Sequence, residues 1–241
     1  MASTIRIDFA RPIALFPLPS VVIYPHTADW MIAFEPRYRQ LIEDCLRARE
    51  GGSLLDAAPI AMASYAGRGW NGPRIGEPPL RTAVCVTKIV EHRALPDGRH
   101  QVLLHGMSRA TIETVSEPEG RRLYRLGNLV PLDTRSHAPR RLPALERELA
   151  HVLGTGELKR MQRLDPIREW IARGSVPTEF VVEQLVSILS RGDTRRYSML
   201  AEPSSRRRSS FVLTELSHLS SLLGGAANRG AAPSARGLTR N

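Results

Sequence analysis

Cysteine is nearly absent, with two in 241 residues. That excludes a disulfide framework and a zinc cage, and Cys45 and Cys85 each sit in an apolar pattern that predicts a buried free thiol. Lysine is equally scarce: Lys88 and Lys159 are the two among 34 basic residues. A phosphate-binding Walker loop needs lysine followed by serine or threonine after a glycine-rich turn, yet Ile89 and Arg160 follow these two. P-loop nucleotide hydrolysis is therefore excluded, and a Ser-Lys nucleophile would have to draw on one of the same lysines. No apolar run reaches the roughly 18 residues needed to span a bilayer. The amino terminus has no charged segment followed by an apolar core, so the expectation is a cytoplasmic protein that contacts no membrane.

What is abundant is arginine. The net charge of +10 suggests nucleic acid at first sight, but its distribution weakens that reading. Residues 1–133 are nearly neutral, and most of the excess lies in 134–225 and 226–241. An arginine bias this strong reads as the codon usage of a GC-rich genome rather than as selection for phosphate contacts.

The run Ile13 to Leu41 carries the most structural information. Leu15, Leu18, Val21, Val22, Ile23 and Tyr24 favour a strand, while Pro17, Pro19 and Pro25 restrict it to an edge or bulged one. Phe34-Glu35-Pro36 then predicts a helix start, with Tyr38, Leu41, Ile42, Cys45 and Leu46 at helical spacing up to Gly51-Gly52. Further strands are predicted at Ile5 to Phe9, Pro59 to Tyr65, Thr111 to Val115 and Tyr124 to Pro131. A hairpin of Val84 to Glu91 and Gln101 to Gly106 turns at Pro96-Asp97-Gly98. Gly67 to Pro79 reads as a long loop. After Asp133 the periodicity changes to 3.6, with helices that carry Leu145, Leu149 and Val152, start at Asp165-Pro166 and stop at Gly174, and open at Pro177. Two more are capped at Asp193 and at Ser204 or Ser205, and the last ends at Gly224-Gly225. The expected division is a β domain over 1–133, a helical subdomain over 134–225 and a disordered tail over 226–241.

The succession of Leu15-Phe16-Pro17-Leu18, Val21 to Pro25 and Phe34-Glu35-Pro36-Arg37-Tyr38-Arg39-Gln40-Leu41 resembles the opening of the Lon protease amino-terminal domain family. It continues through Trp70, Ile89 to His92, Leu95 to Arg99 and Leu103 to Arg109, covering about residues 11 to 132. The resemblance implies an α+β fold: a mostly antiparallel, PUA-like β pseudo-barrel followed by a carboxy-terminal helical bundle. It also implies a non-catalytic, substrate-recognising module, here encoded without the ATPase and peptidase parts, so no catalytic residue is assigned. Implied partners are unfolded or damaged polypeptides, or a separate Lon or other AAA protease. RNA binding through the barrel and the basic helical half is the alternative.

Candidate binding residues are Trp70, Tyr65 and Trp30, aromatic groups that give large contact area at low entropic cost. Packing is the competing role, expected for Trp30 and Tyr65 and equally weighted with binding for Trp70. Phe34 to Tyr38 are expected to fix the helix start. His26, His92, His100 and His105 match no metal spacing, so no metal or other cofactor is expected, and the acidic pairs Glu43-Asp44 and Glu117/Glu119 read as solvated. Where relatives carry a Pro-Leu-His-Ile-like run, this chain has Trp30-Met31-Ile32-Ala33.

Overall fold

Pro36 occupies the first turn of helix α1 (Pro36–Arg47), with Glu35 as an extended residue before it. The missing proline N–H costs nothing where no intrahelical acceptor exists. Tyr38, Leu41, Ile42 and Cys45 fall on one buried face at helical spacing. The structure is a computed structural model that describes residues 7–49, 52–66, 78–132 and 141–230, with side chains to 224.

Among the described residues the strands are β1 (Ile13–Leu18), β2 (Ala28–Ala33), β3 (Ile60–Ser64), β4 (Ala83–Ala94), β5 (His100–Ser116) and β6 (Leu126–Pro131). They form one mixed sheet in the order β2-β5-β4-β3-β1-β6, and β5 also pairs with β6. The five strands β1, β3, β4, β5 and β6 therefore make a closed ring, and β2 hangs outside it on β5. The β1–β3 pair is parallel, Ala14 opposite Ile60 through Leu18 opposite Ser64, and the other pairings are antiparallel. Register shifts at Val86/Thr87, Ile89/Glu91 and Ile112/Thr114 add the local twist that bends long strands into closure. Each ring strand sends side chains to one interior: Ile13, Leu15, Ala61, Ala63, Val84, Val86, Ala110 and Leu129. The three alanines there keep the lumen narrow enough to fill.

Several sequence expectations change here. The strand expected through Tyr24 stops at Leu18, because Pro19 and then Ser20, at a positive φ of 59°, break the extended run. A second strand, β2, was not foreseen. Thr111 to Val115 belongs to the single strand β5 rather than to a separate one. Ile7 and Phe9 are not in a strand but pack against the barrel interior. The loop from 67 to 77 and the residues after 230 lie outside the described residues.

By contacts the chain divides into Met1–Ala138 with Glu183–Arg208, and Pro139–Val182 with Ser209–Asn241. The expected division at 133/134 assigned 183–208 to the helical part, whereas these residues cluster with the sheet. The reason is a buried ionic knot. Arg109 of β5 donates from both terminal nitrogens to Glu183, at 3.0 and 2.7 Å, and from Nε to the Leu200 carbonyl at 3.1 Å. Arg208 Nε lies 2.8 Å from the same carboxylate and its Nη1 donates to the Glu202 carbonyl. A carboxylate taken out of water needs this many donors.

The second unit is helical, holding α2 (Pro143–Gly154), α3 (Asp165–Arg173), the start of α4 (Thr178–Leu189) and most of α6 (Ser205–Gly230); α5 (Asp193–Leu200) belongs to the first. Gly174 closes α3 in the left-handed conformation, φ 57°, as the sequence predicts. Thr178 joins two helices by donating to Glu146 at 2.6 Å while accepting the Leu142 N–H at 2.7 Å. The last helix runs to Gly230, past the expected stop at Gly224-Gly225.

Candidate functional site

The backbone from Ser20 to Thr27 is fastened before β2 begins. Tyr24 donates its hydroxyl to the Arg196 carbonyl at 2.9 Å, and burial pushes its pKa up to about 12. His26 N–H bonds to the Gly106 carbonyl and Gly106 N–H to the Thr27 carbonyl, each at 2.8 Å. A Cβ on Gly106 would stand 2.0 Å from the Tyr24 carbonyl oxygen, so only glycine fits. This anchor sets the phase of β2. Thr27 opposite Gly106 exchanges a backbone hydrogen bond, so odd-numbered residues of β2 face β5 and even-numbered ones face the free edge.

Side chains alternate in the same period. Met31 and Ala33 are buried, while Trp30 is 46% exposed, Ile32 48% and Phe34 61%. Large apolar groups therefore line one face of an edge strand and continue into the start of α1. There an open groove of about 720 Å³ is lined by Phe34, Glu35, Pro36, Arg37 and Leu123, itself 47% exposed.

Beneath the groove the helix start is locked. Arg37 reaches the Glu35 carboxylate at 2.9 Å and the Tyr65 hydroxyl at 3.2 Å, and its guanidinium lies 4.5 Å from the Tyr38 ring centre. Tyr38 donates to the Pro17 carbonyl, its hydroxyl lies 3.3 Å from that of Tyr65, and its ring packs on Phe16. Burial and the Tyr65 hydroxyl raise the Tyr38 pKa well above the phenol range, so it stays neutral.

The aromatic candidates thus separate. Tyr65 is buried, and its hydroxyl serves the helix lock. Trp30, expected to pack, is instead half exposed, because β2 lies outside the barrel and no described strand or helix fully covers its even positions. Trp70 lies outside the described residues. Sequence reasoning missed Ile32, Phe34 and Leu123; the signal was present in the alternation of Trp30, Ile32 and Phe34, which keeps bulky groups at every second position.

Nucleophilic chemistry finds little support here. Burial pushes both Cys45 and Cys85 up to about 12, so both thiols are protonated at neutral pH. His92 Nε2 and His100 Nδ1 are 3.0 Å apart, and His100 Nε2 lies 3.3 Å from Glu43. Burial, then His100 and Arg49, lower the His92 pKa. Among the described residues no three histidine, cysteine or acidic side chains converge as a metal site, and no helix is long and apolar enough to cross a membrane.

The family model of the ATP-dependent protease La (LON) substrate-binding domain matches residues 12–218. The chain belongs to this family. Two solved structures share the fold. One is the Lon N-terminal domain protein from Xanthomonas campestris, 21% identical, with a TM-score of 0.58 over 85% of this chain and 98% of the other. The second is the N-terminal domain of the Mycobacterium avium complex Lon protease, 14% identical, with a TM-score of 0.60 over 86% and 98%. No curated protein matches the chain in a sequence search. In this Lon-type domain the resemblance motif from Phe34 to Tyr38 does two things: Glu35, Pro36, Arg37 and Tyr38 build the helix lock, and Phe34 is left outside it.

Proposed function

We propose that this Lon-type domain recognises polypeptides that expose apolar side chains, through Trp30, Ile32, Phe34 and Leu123, and that it does no chemistry itself. The observation that carries the reading is the exposed apolar row along β2 that runs into the groove at the helix start. Soluble proteins seldom leave bulky apolar groups contiguous without a use. Burying the exposed half of one indole is worth roughly 2–3 kcal/mol. A few such groups, less the cost of association, give contacts in the micromolar to millimolar range, strong enough to sample substrates and weak enough to release them. Delivery of such a polypeptide to a Lon or other AAA protease, as an adaptor in protein quality control, is the biological role that fits.

A reduced, alkylated globular protein serves as the test ligand. The intact chain should bind it, and Trp30→Ala and Phe34→Ala should each weaken binding about tenfold, the loss of one apolar anchor. Absence of binding by the wild type, or binding by both variants as tight as the wild type's, rejects the reading. Affinity for an oligonucleotide that falls steeply with salt would favour RNA instead.

A further inference from the structure

We propose that β2 takes up an extended polypeptide segment as an added strand, with a lysine or arginine of that segment against Asp29. This rests on the polypeptide-binding reading and specifies how the ligand is held. Three observations carry it.

The outer edge of β2 is open among the described residues: its one sheet neighbour is β5. The phase set by Thr27 and Gly106 turns the backbone groups of Ala28, Trp30 and Ile32 toward that edge. The Trp30 N–H confirms the direction independently, because it bonds to the Asp29 carboxylate at 2.9 Å rather than to β5. An edge with backbone donors and acceptors at this spacing is a template for another strand, and proteins usually blunt it with several charges, a bulge or a cover. Here one carboxylate stands on it.

The side chains suit the same geometry. Trp30 and Ile32 rise from one face about 6.6 Å apart, the repeat of alternate residues on a strand, and Phe34 continues the alternation. An added strand with apolar groups at alternate positions would place them beside this row, so backbone bonds supply affinity and the row supplies selectivity.

Charge gives the occupant its polarity. Asp29 adjoins Trp30, and Glu91 lies in the same row across the sheet, beyond Leu103. Among the described residues no cation pairs with either. Toward Phe34 the charge turns positive, since Arg37 neutralises Glu35 and Arg93 adds a cation in the row of Ile32 and Gln101. A segment with a cation at one end is thus favoured, and in one direction. Its ammonium or guanidinium would draw the Asp29 carboxylate from the Trp30 N–H, releasing that donor to the incoming carbonyl.

The test uses a labelled peptide of alternating valine and threonine with one terminal lysine, a copy N-methylated at the edge-facing amides, and a copy with glutamate for lysine. Fluorescence anisotropy with the intact chain should show the parent peptide binding, with the methylated and glutamate copies at least about tenfold weaker. Asp29→Lys should reverse the preference between lysine and glutamate. Equal affinity for the parent and methylated peptides overturns strand addition while leaving apolar recognition intact, provided the alkylated protein still binds. An unaltered charge preference in Asp29→Lys overturns the role of Asp29. A chain that dimerises through this edge and binds no peptide overturns the proposal in favour of a second copy.

Discussion

Strands β1 and β2 are the same length, both predominantly apolar and close in sequence, and they end in opposite environments. β1 has a neighbour on each side, β3 and β6, and residues Ile13 to Pro17 are buried. Among the described residues β2 has one neighbour, and it shows three bulky residues, counting Phe34, to solvent. Apolar composition is therefore not what sets burial here. Place in the ladder decides it: β1 lies within the ring and is covered on both faces, whereas β2, outside the ring, buries Met31 and Ala33 on one face and exposes Trp30 and Ile32 on the other.

The comparison breaks first in stability. Leu15→Ala removes a fully buried group from the barrel interior and should cost about 2–5 kcal/mol in urea unfolding. Trp30→Ala, a larger deletion of a group that is only half buried, should cost less, about 1–2 kcal/mol. Similar losses for the two would mean that β2 is as deeply packed as β1. Next in size is the anchor between them. Gly106→Ala forces its Cβ against the Tyr24 carbonyl and should cost about 1–3 kcal/mol, with hydrogen exchange rising selectively over 24–33 while β1 remains protected. Uniform loss of protection would show that the β2 anchor is not a separate element.

The smallest effect is a pH dependence confined to the β2 side of the sheet. His92 has its pKa lowered in the folded state by burial, His100 and Arg49, and it sits on β4 beside the His100 ring, with Glu43 of α1 on the far side. Unfolding relieves that depression, so below the ordinary histidine value near 6.5 the unfolded chain binds more protons. Stability is then unaffected well above that value and falls as pH drops through it. His92→Asn should lessen, without abolishing, the fall of the urea midpoint between about pH 7 and about pH 5, because burial also lowers the pKa of His105. An unchanged slope would remove His92 from the account.

Local features were legible wherever a short-range rule applied. Pro36 at the helix start, Gly98 in the hairpin with φ 78°, Gly174 after α3, and the spacing of Tyr38, Leu41, Ile42 and Cys45 all follow from backbone sterics or helical period. Features that depend on distant partners were not. Arg109 and Glu183 are 74 residues apart, and nothing near either one announces a buried pair. The candidate site was half legible: Trp30 was identified as a residue of interest, but packing was the expected role.

By itself the sequence determined the elements that begin and end on a proline, a glycine or an amphipathic period. Those outcomes depend on steric and chemical requirements satisfied within a few residues. Tertiary structure alone decided that five strands close, that β2 is left outside, and that Trp30, Ile32 and Phe34 face solvent. Burial is a property of what lies across from a residue, and that partner is set by long-range pairing and ring closure.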